Sequence, residues 1–274
     1  MTMLSINTNI GALNASQSSY SVNNSMETSM ARLSSGNRIN SAADDAAGLQ
    51  IARRMDTEIQ GLNQAVRNAA DAQALLQTAE GALDEVHTIL LRIRELSVQA
   101  SNGTYGAQDR LAIQAEVTDL QSEITRISND TTWNSISLIE GSQSTGITFQ
   151  IGADNTQTVT VAIANIALAT LSIGGTSQVT TATNAMSYIA AVDKAISVIS
   201  TNRGTYAAAI NRLDHSVANM QDAATNLAEA KGRITDADFA AETSNLSRTQ
   251  VLQQASMAML AQANAAKQNI LTLI

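Results

Sequence analysis

The chain has 274 residues and a net charge of -8, with no Cys, no Pro and only 3% aromatic residues. Without thiols there is neither a disulfide framework nor a thiolate metal site, and the acidic balance argues against nucleic acid, whose phosphates need a Lys/Arg-rich face. A composition dominated by Ala, Ser, Thr, Asn and Gln builds long helices with small contact residues, not a globular core around a deep pocket.

The first 14 residues carry no basic flank and no apolar h-region, so they do not read as a Sec-type signal. No run of 18 apolar residues occurs either, so no membrane span is expected. Residues 1–31 contain one charged side chain, Glu27. Ile6, Ile10 and Leu13 mark one helical face, and Met26, Met30 and Leu33 extend it. Ser and Asn are too frequent there for a strong isolated helix, which predicts a segment that is helical only when packed against something.

Residues 33–51 read as a joint between two helices. Gly36 sits just past the end of the first helix, where a left-handed C-cap costs glycine least, and residues 37–40, including Arg38, form a short bridge. Ser41 is then positioned to cap the second helix. Asp44 stands in capping-box position, and the charges of Asp44 and Asp45 suit that helix's positive end. From Leu62 the signal is strong. Leu62, Ala65, Ala69, Ala72, Leu76, Ala79, Leu83, Val86, Leu90, Ile93, Ser97 and Ala100 keep 3–4 spacing. Starting at Ser41, this helix would run roughly 60 residues, or about 90 Å, before Asn102-Gly103 ends it. A second helix follows with Ile113, Val117, Leu120, Ile124 and Ile127 on its seam, and Asn129-Asp130 stops it.

Residues 131–141 read as a loop holding Trp133 as a packing anchor. Ile147, Phe149 and Ile151, then Val159, Val161 and Ile163, alternate with polar residues around Gly152-Ala153-Asp154-Asn155, which predicts a β-hairpin near 147–163. The Ser/Thr/Gly-rich stretch 172–183 reads as an exposed loop, open to sugar attachment. The seam resumes at Ile189, Val192, Ile196, Ile199, Arg203, Tyr206, Ile210, Leu213, Val217 and Met220, a helix long enough to lie along the first. Gly232 closes that pattern, and Thr235 with Asp238 opens another, forming a second joint. The last segment has two apolar stripes, one with Leu246, Met257, Leu260, Leu271 and Ile274, the other with Leu252, Met259, Ala263, Ala266, Ile270 and Leu273. A helix apolar over so wide an arc must be covered on several sides, more than a single partner helix supplies. Many chains burying one another's ends would supply it.

Chemistry has little foothold. His87 and His215 lie on different helices with no Cys and no second His at i±4, so no metal site or catalytic centre is expected. No phosphate-binding glycine loop or nucleophile elbow occurs, and no cofactor is implied.

Taken together, Ile6-Asn7-Thr8-Asn9, the joint 32–51, Gln77-Thr78-Ala79-Glu80-Gly81-Ala82-Leu83, Arg94-Glu95-Leu96-Ser97-Val98-Gln99, Arg233-Ile234-Thr235-Asp236-Ala237-Asp238-Phe239 and Met259-Leu260-Ala261-Gln262-Ala263-Asn264 resemble the bacterial flagellins. Lys267 stands where many relatives carry Pro, and Trp133 where Phe is common. The resemblance implies a mainly α fold, a long antiparallel coiled-coil-like bundle with a β-hairpin, in a short form lacking large outer domains. Residues 1–40 and 236–274 would pair as a filament-core domain, and 41–235 would form a helical shaft. It further implies a secreted, extracellular homopolymer serving motility. Its partners would be the flagellar type III export apparatus, an export chaperone, the filament cap, the hook-junction proteins and Toll-like receptor 5. Core packing would fall to Ile6, Ile10, Leu13, Leu252, Met257, Met259, Leu260, Ile270, Leu271 and Leu273, and receptor contact to Arg92, Leu96 and Glu116. The joint would rest on Gly36, Arg38, Ser41, Asp44, Asp45, Thr235 and Asp238. A hook–filament junction protein is the alternative within the lineage; a secreted coiled-coil translocator would explain the heptads but not the uncharged ends.

Overall fold

The protein is described by a computed structural model over residues 8–175 and 178–271, the last five of these by backbone alone. Ile6 and Leu273, and the side chains of Ile270 and Leu271, lie outside the described residues. In chain order the elements are helices α1 (Ile10–Ser35), α2 (Ala46–Ser101) and α3 (Ala107–Asp130), strands β1 (Thr132–Trp133), β2 (Ile136–Ser137), β3 (Ile147–Gln150) and β4 (Thr158–Val161), and helices α4 (Leu168–Leu171), α5 (Ala182–Thr235) and α6 (Phe239–Leu271).

Two compact units divide the chain, one holding residues up to Thr57 and from Asn226 onward, the other Glu58–Thr225. The division falls inside α2 and α5, not at the helix breaks near 40 and 236. The reason is local. Lys231 Nζ donates to Asp56 Oδ1 at 2.5 Å, and the Arg38 N–H donates to the Thr235 carbonyl at 2.6 Å. The first turns of α2 and the last turns of α5 therefore belong with the joints.

In the second unit α2, α3 and α5 form an antiparallel bundle. Ala65 through Ala100 on the α2 seam are 1% exposed or less at every seam position, and Leu62 packs half-buried against them. Each large aliphatic side chain so buried contributes about 1.5–3 kcal/mol. Arg203 grips Glu80 and Asp84 at 2.7 Å each, and Arg94 grips Asp193 at 2.6 Å. Exposed pairs of this kind are worth roughly 0–1 kcal/mol each, so they select register more than they stabilise. The α5 seam is buried as predicted at Val192, Ile199, Tyr206, Leu213 and Met220, and shifts back by one residue at the alternate positions. Tyr188, Ala195 and Ala209 are buried, while Ile189, Ile196 and Ile210 are only half-covered.

The β3–β4 hairpin forms in the expected place, pairing Ile147 with Val161 and Phe149 with Val159. A second hairpin, β1–β2, occupies the stretch expected to be a loop. Its two turn residues, Asn134 and Ser135, have φ of 47° and 66°, the twist that matches a two-residue connection. Trp133 packs half-buried against the core beside it. Among the described residues of 172–183, Ser172, Gly174 and Gly175 are exposed as composition predicts, but two apolar residues are not. Ile173 and Val179 are fully buried. Gln121 Nε2 and the Tyr188 hydroxyl both donate to the Ile173 carbonyl, at 2.6 and 3.0 Å, and the Val179 N–H donates to Gln114 Oε1 at 2.8 Å. The helix α5 itself begins at Ala182.

Candidate functional site

The first unit is built from its joint outward. Gly36 ends α1 with φ +73° and its N–H donates to the Arg32 carbonyl at 2.9 Å, as a glycine C-cap should. Chain then meets chain. The Arg38 guanidinium donates through Nη2 to the Ile234 carbonyl at 2.7 Å, and the Ala237 N–H donates to the Gly36 carbonyl at 2.9 Å. Asn37 and Asp236 form an isolated antiparallel bridge between these contacts. The two joints are thus one structure, in which each break supplies the other's backbone partners.

The caps are not those the residue types predict. Helix α2 begins one turn later than Ser41, and its cap is Asp45, whose Oδ1 accepts from the Gly48 N–H at 2.8 Å. Ser41 is occupied elsewhere: its hydroxyl and its N–H both donate to Asp44 Oδ2, at 3.0 and 2.8 Å, closing a tight turn. Those donors, with the Asn40 N–H, hold the Asp44 carboxyl below the usual carboxylate range. At the second break Gly232 lies within α5. Thr235 is that helix's last residue, and its hydroxyl donates back to the Lys231 carbonyl. Asp238 caps α6 alone, its Oδ1 accepting from the N–H groups of Ala240 and Ala241 at 2.9 and 3.2 Å.

From this joint α1 and α6 run antiparallel. Gln253 Nε2 donates to Asn23 Oδ1 at 2.9 Å, and Asn9, which caps α1, donates to the Ala263 carbonyl at 3.1 Å. Burial along the pair is inverted. Ser29, Glu242 and Thr249 are buried, while Ile10, Leu13, Tyr20, Met30, Phe239, Val251, Leu252, Met257 and Met259 are 45–67% exposed. Leu260 is half-covered. Gly11, Ala15, Leu252, Met259 and Ala263 line a groove of about 560 Å³ between the helices. A pair that buries its small and polar residues and turns its large apolar ones outward is built to be covered by something else.

Two family models match the chain: the bacterial flagellin N-terminal helical region over residues 6–144 and the bacterial flagellin C-terminal helical region over residues 189–274. The chain belongs to the bacterial flagellin family. It is 42% identical to the flagellin of Halalkalibacterium halodurans over 270 residues, 98% of this chain and 99% of that protein. The crystal structure of Bacillus cereus flagellin matches with a TM-score of 0.51 and 32% identity, covering 60% of this chain and 94% of that one. A putative flagellar hook-associated protein from Vibrio parahaemolyticus matches with a TM-score of 0.60, covering 70% of this chain and 100% of that one, but at 14% identity this likeness shows the fold alone. Flagellins are structural proteins, so this one is not an enzyme. Among the described residues no group of three His, Cys, Asp or Glu side chains could hold a metal ion, and no helix is long and apolar enough to cross a membrane.

The three residues expected from the resemblance to contact a receptor divide. Arg92 and Glu116 meet on the surface of the second unit, with Arg92 Nε and Nη2 donating to Glu116 Oε1 at 3.0 and 2.8 Å. Glu95 joins them through Arg92 Nη1 at 3.2 Å. Leu96 does not: it is 2% exposed and packs into the bundle core, because position 96 falls on the apolar arc of α2 and Arg92 on its edge.

Proposed function

We propose that the chain polymerises into the flagellar filament as its structural subunit, with the α1–α6 pair as the face that neighbouring copies cover. The observation carrying this reading is the inverted burial of that pair. We further propose, from membership of the flagellin family, secretion by the flagellar type III apparatus with an export chaperone that covers the α1–α6 face before assembly. The filament cap and the hook-junction proteins would meet the two ends of the polymer. Full-length identity to flagellins favours a filament subunit over a hook–filament junction protein.

The test is salt-induced polymerisation of the purified chain followed by electron microscopy. The intact chain should give filaments. A version ending at Val251 should stay monomeric while keeping the helical signal of α2, α3 and α5, and normal filaments from that version would overturn the assignment of α6.

A second reading concerns the free monomer. Arg92, with three donors shared between the carboxylates of Glu116 and Glu95, is an exposed guanidinium in a surface cluster of the sort that anchors protein contacts. We propose that it contacts Toll-like receptor 5, and that Arg92→Ala weakens that contact by about 2 kcal/mol. Receptor signalling by matched concentrations of the two monomers checks this. Leu96→Ala should act only through stability, since its side chain is inside the bundle.

A further inference from the structure

The exposed face of the α1–α6 pair is rich in one reactive side chain. Met30, Met257 and Met259 are 54%, 59% and 65% exposed, whereas Met220 is 5% exposed and Met26 and Met55 are half-covered. Met259 also lines the groove between the helices, beside Leu252. The chain has no Cys, so no thiol competes with these thioethers for an oxidant. Met186, 61% exposed on α5 in the second unit, offers an internal control of equal access outside the pair.

We propose that Met30, Met257 and Met259 make assembly sensitive to peroxide. This rests on the reading of the α1–α6 pair as the subunit interface. The chemistry balances without a cofactor. The thioether sulfur attacks one oxygen of hydrogen peroxide, an S–O bond forms as the O–O bond breaks, and water leaves. The sulfur loses two electrons to the peroxide. An apolar, flexible side chain becomes a polar sulfoxide on a face that a neighbouring subunit must cover with apolar groups. Burying that sulfoxide without a donor lowers affinity roughly tenfold to a hundredfold, and the critical concentration rises in proportion. Once copies cover the face, the same sulfurs are shielded, so oxidation acts on the free subunit and spares the polymer. Methionine sulfoxide reductases reverse the change.

The experiment treats the monomer with hydrogen peroxide, maps added oxygen by peptide mass spectrometry, and measures the critical concentration by sedimentation. Oxidised monomer should polymerise only at concentrations raised tenfold or more. Treatment with the two reductases should restore assembly, and preformed filaments should take up oxygen at these three positions far more slowly. The Met30→Leu/Met257→Leu/Met259→Leu variant should polymerise normally before and after peroxide, while Met186→Leu should remain as sensitive as the parent. If the triple variant fails to fold, the reductase reversal on the unmodified sequence decides. Oxidation of all three sulfurs with no change in critical concentration overturns the proposal alone. Untreated chain that forms no filaments overturns the assembly reading and this proposal with it.

Discussion

Tyr188 and Tyr206 tie irregular chain to the bundle through single hydroxyls. The Tyr206 oxygen accepts from the Ala164 N–H at 2.7 Å, and Tyr188 accepts from Gln121 Nε2 at 2.8 Å while donating to the Ile173 carbonyl. Burial raises both phenols above their ordinary value, and the bonds received from Gln121 and Ala164 offset part of that rise. A raised folded-state value means that the neutral phenol is the favoured form in the native chain. Its stabilising effect is complete below the unfolded value of about 10 and is lost as pH climbs through the folded value. Thermal melts should therefore fall above about pH 10, and less steeply for Tyr188→Phe/Tyr206→Phe, which has no phenol to ionise there. An equal slope in the variant would refute this. At neutral pH, Tyr206→Phe should cost about 1 kcal/mol in denaturant unfolding, because the Ala164 N–H loses its acceptor.

At the level of elements, the starts of α2 and α6 are set by carboxylates. Asp45→Ala and Asp238→Ala should each lower stability by about 1 kcal/mol, the usual value of a cap, whereas Ser41→Ala should lose less. Circular dichroism melts of the three variants would order them. Gly48→Ala should behave like Asp45→Ala, since a Cβ at Gly48 would stand 2.4 Å from Asp45 Oδ2 and displace the cap. The joints were legible as joints from Gly36 and the Ser/Asp clusters, but not which side chain caps. Ser41, Asp44 and Asp45 all qualify by type, and only the turn at 41–44 decides between them. The α2 seam was legible throughout because an unbroken 3–4 period admits one face. In α5 half of the seam was legible, while at the alternate positions the larger Ile189, Ile196 and Ile210 were favoured over the neighbouring Tyr188, Ala195 and Ala209, which are the ones buried. The anchors Ile173 and Val179 were hidden because they stand alone in a polar stretch with no period to expose them. Strands as short as β1 and β2 are likewise below the length at which alternation can be seen.

For the whole molecule, the contrast between the two units sets where order is strong. The second unit buries an aliphatic seam over most of α2, whereas among the described residues of α1 only Ser29 is buried. Regions with few buried apolar contacts open at low cost. Limited digestion of the monomer with a protease of broad specificity should cut first within residues 10–35 and 239–266, leaving a resistant fragment close to 58–225. Even cleavage across both units would contradict this. In assembled filaments the same terminal segments should resist, because neighbouring copies supply the missing cover. Of this arrangement, the apolar stripes of the last helix were legible in the sequence. The two joints and the pairing of the ends were also expected, but not the bonds that make the pairing, which are backbone bonds and one from the Arg38 guanidinium to a carbonyl.

The clamp on residues 173–179 has a consequence for how this chain can change in length. Ile173 is held by Gln121 and Tyr188, Val179 by Gln114, and Gln178 Nε2 closes the gap by donating to the Gly174 carbonyl at 3.0 Å. Ile173 and Val179 are thus each pinned to the bundle by separate side chains. Each doubling of an insertion placed there costs only about 0.6 kcal/mol of closure entropy. A short insertion directly after Gly175 should therefore lower the unfolding free energy of the α2–α3–α5 bundle, read from denaturant melts, by less than about 1 kcal/mol, and a larger loss would show that the clamp does not hold its two sides separately.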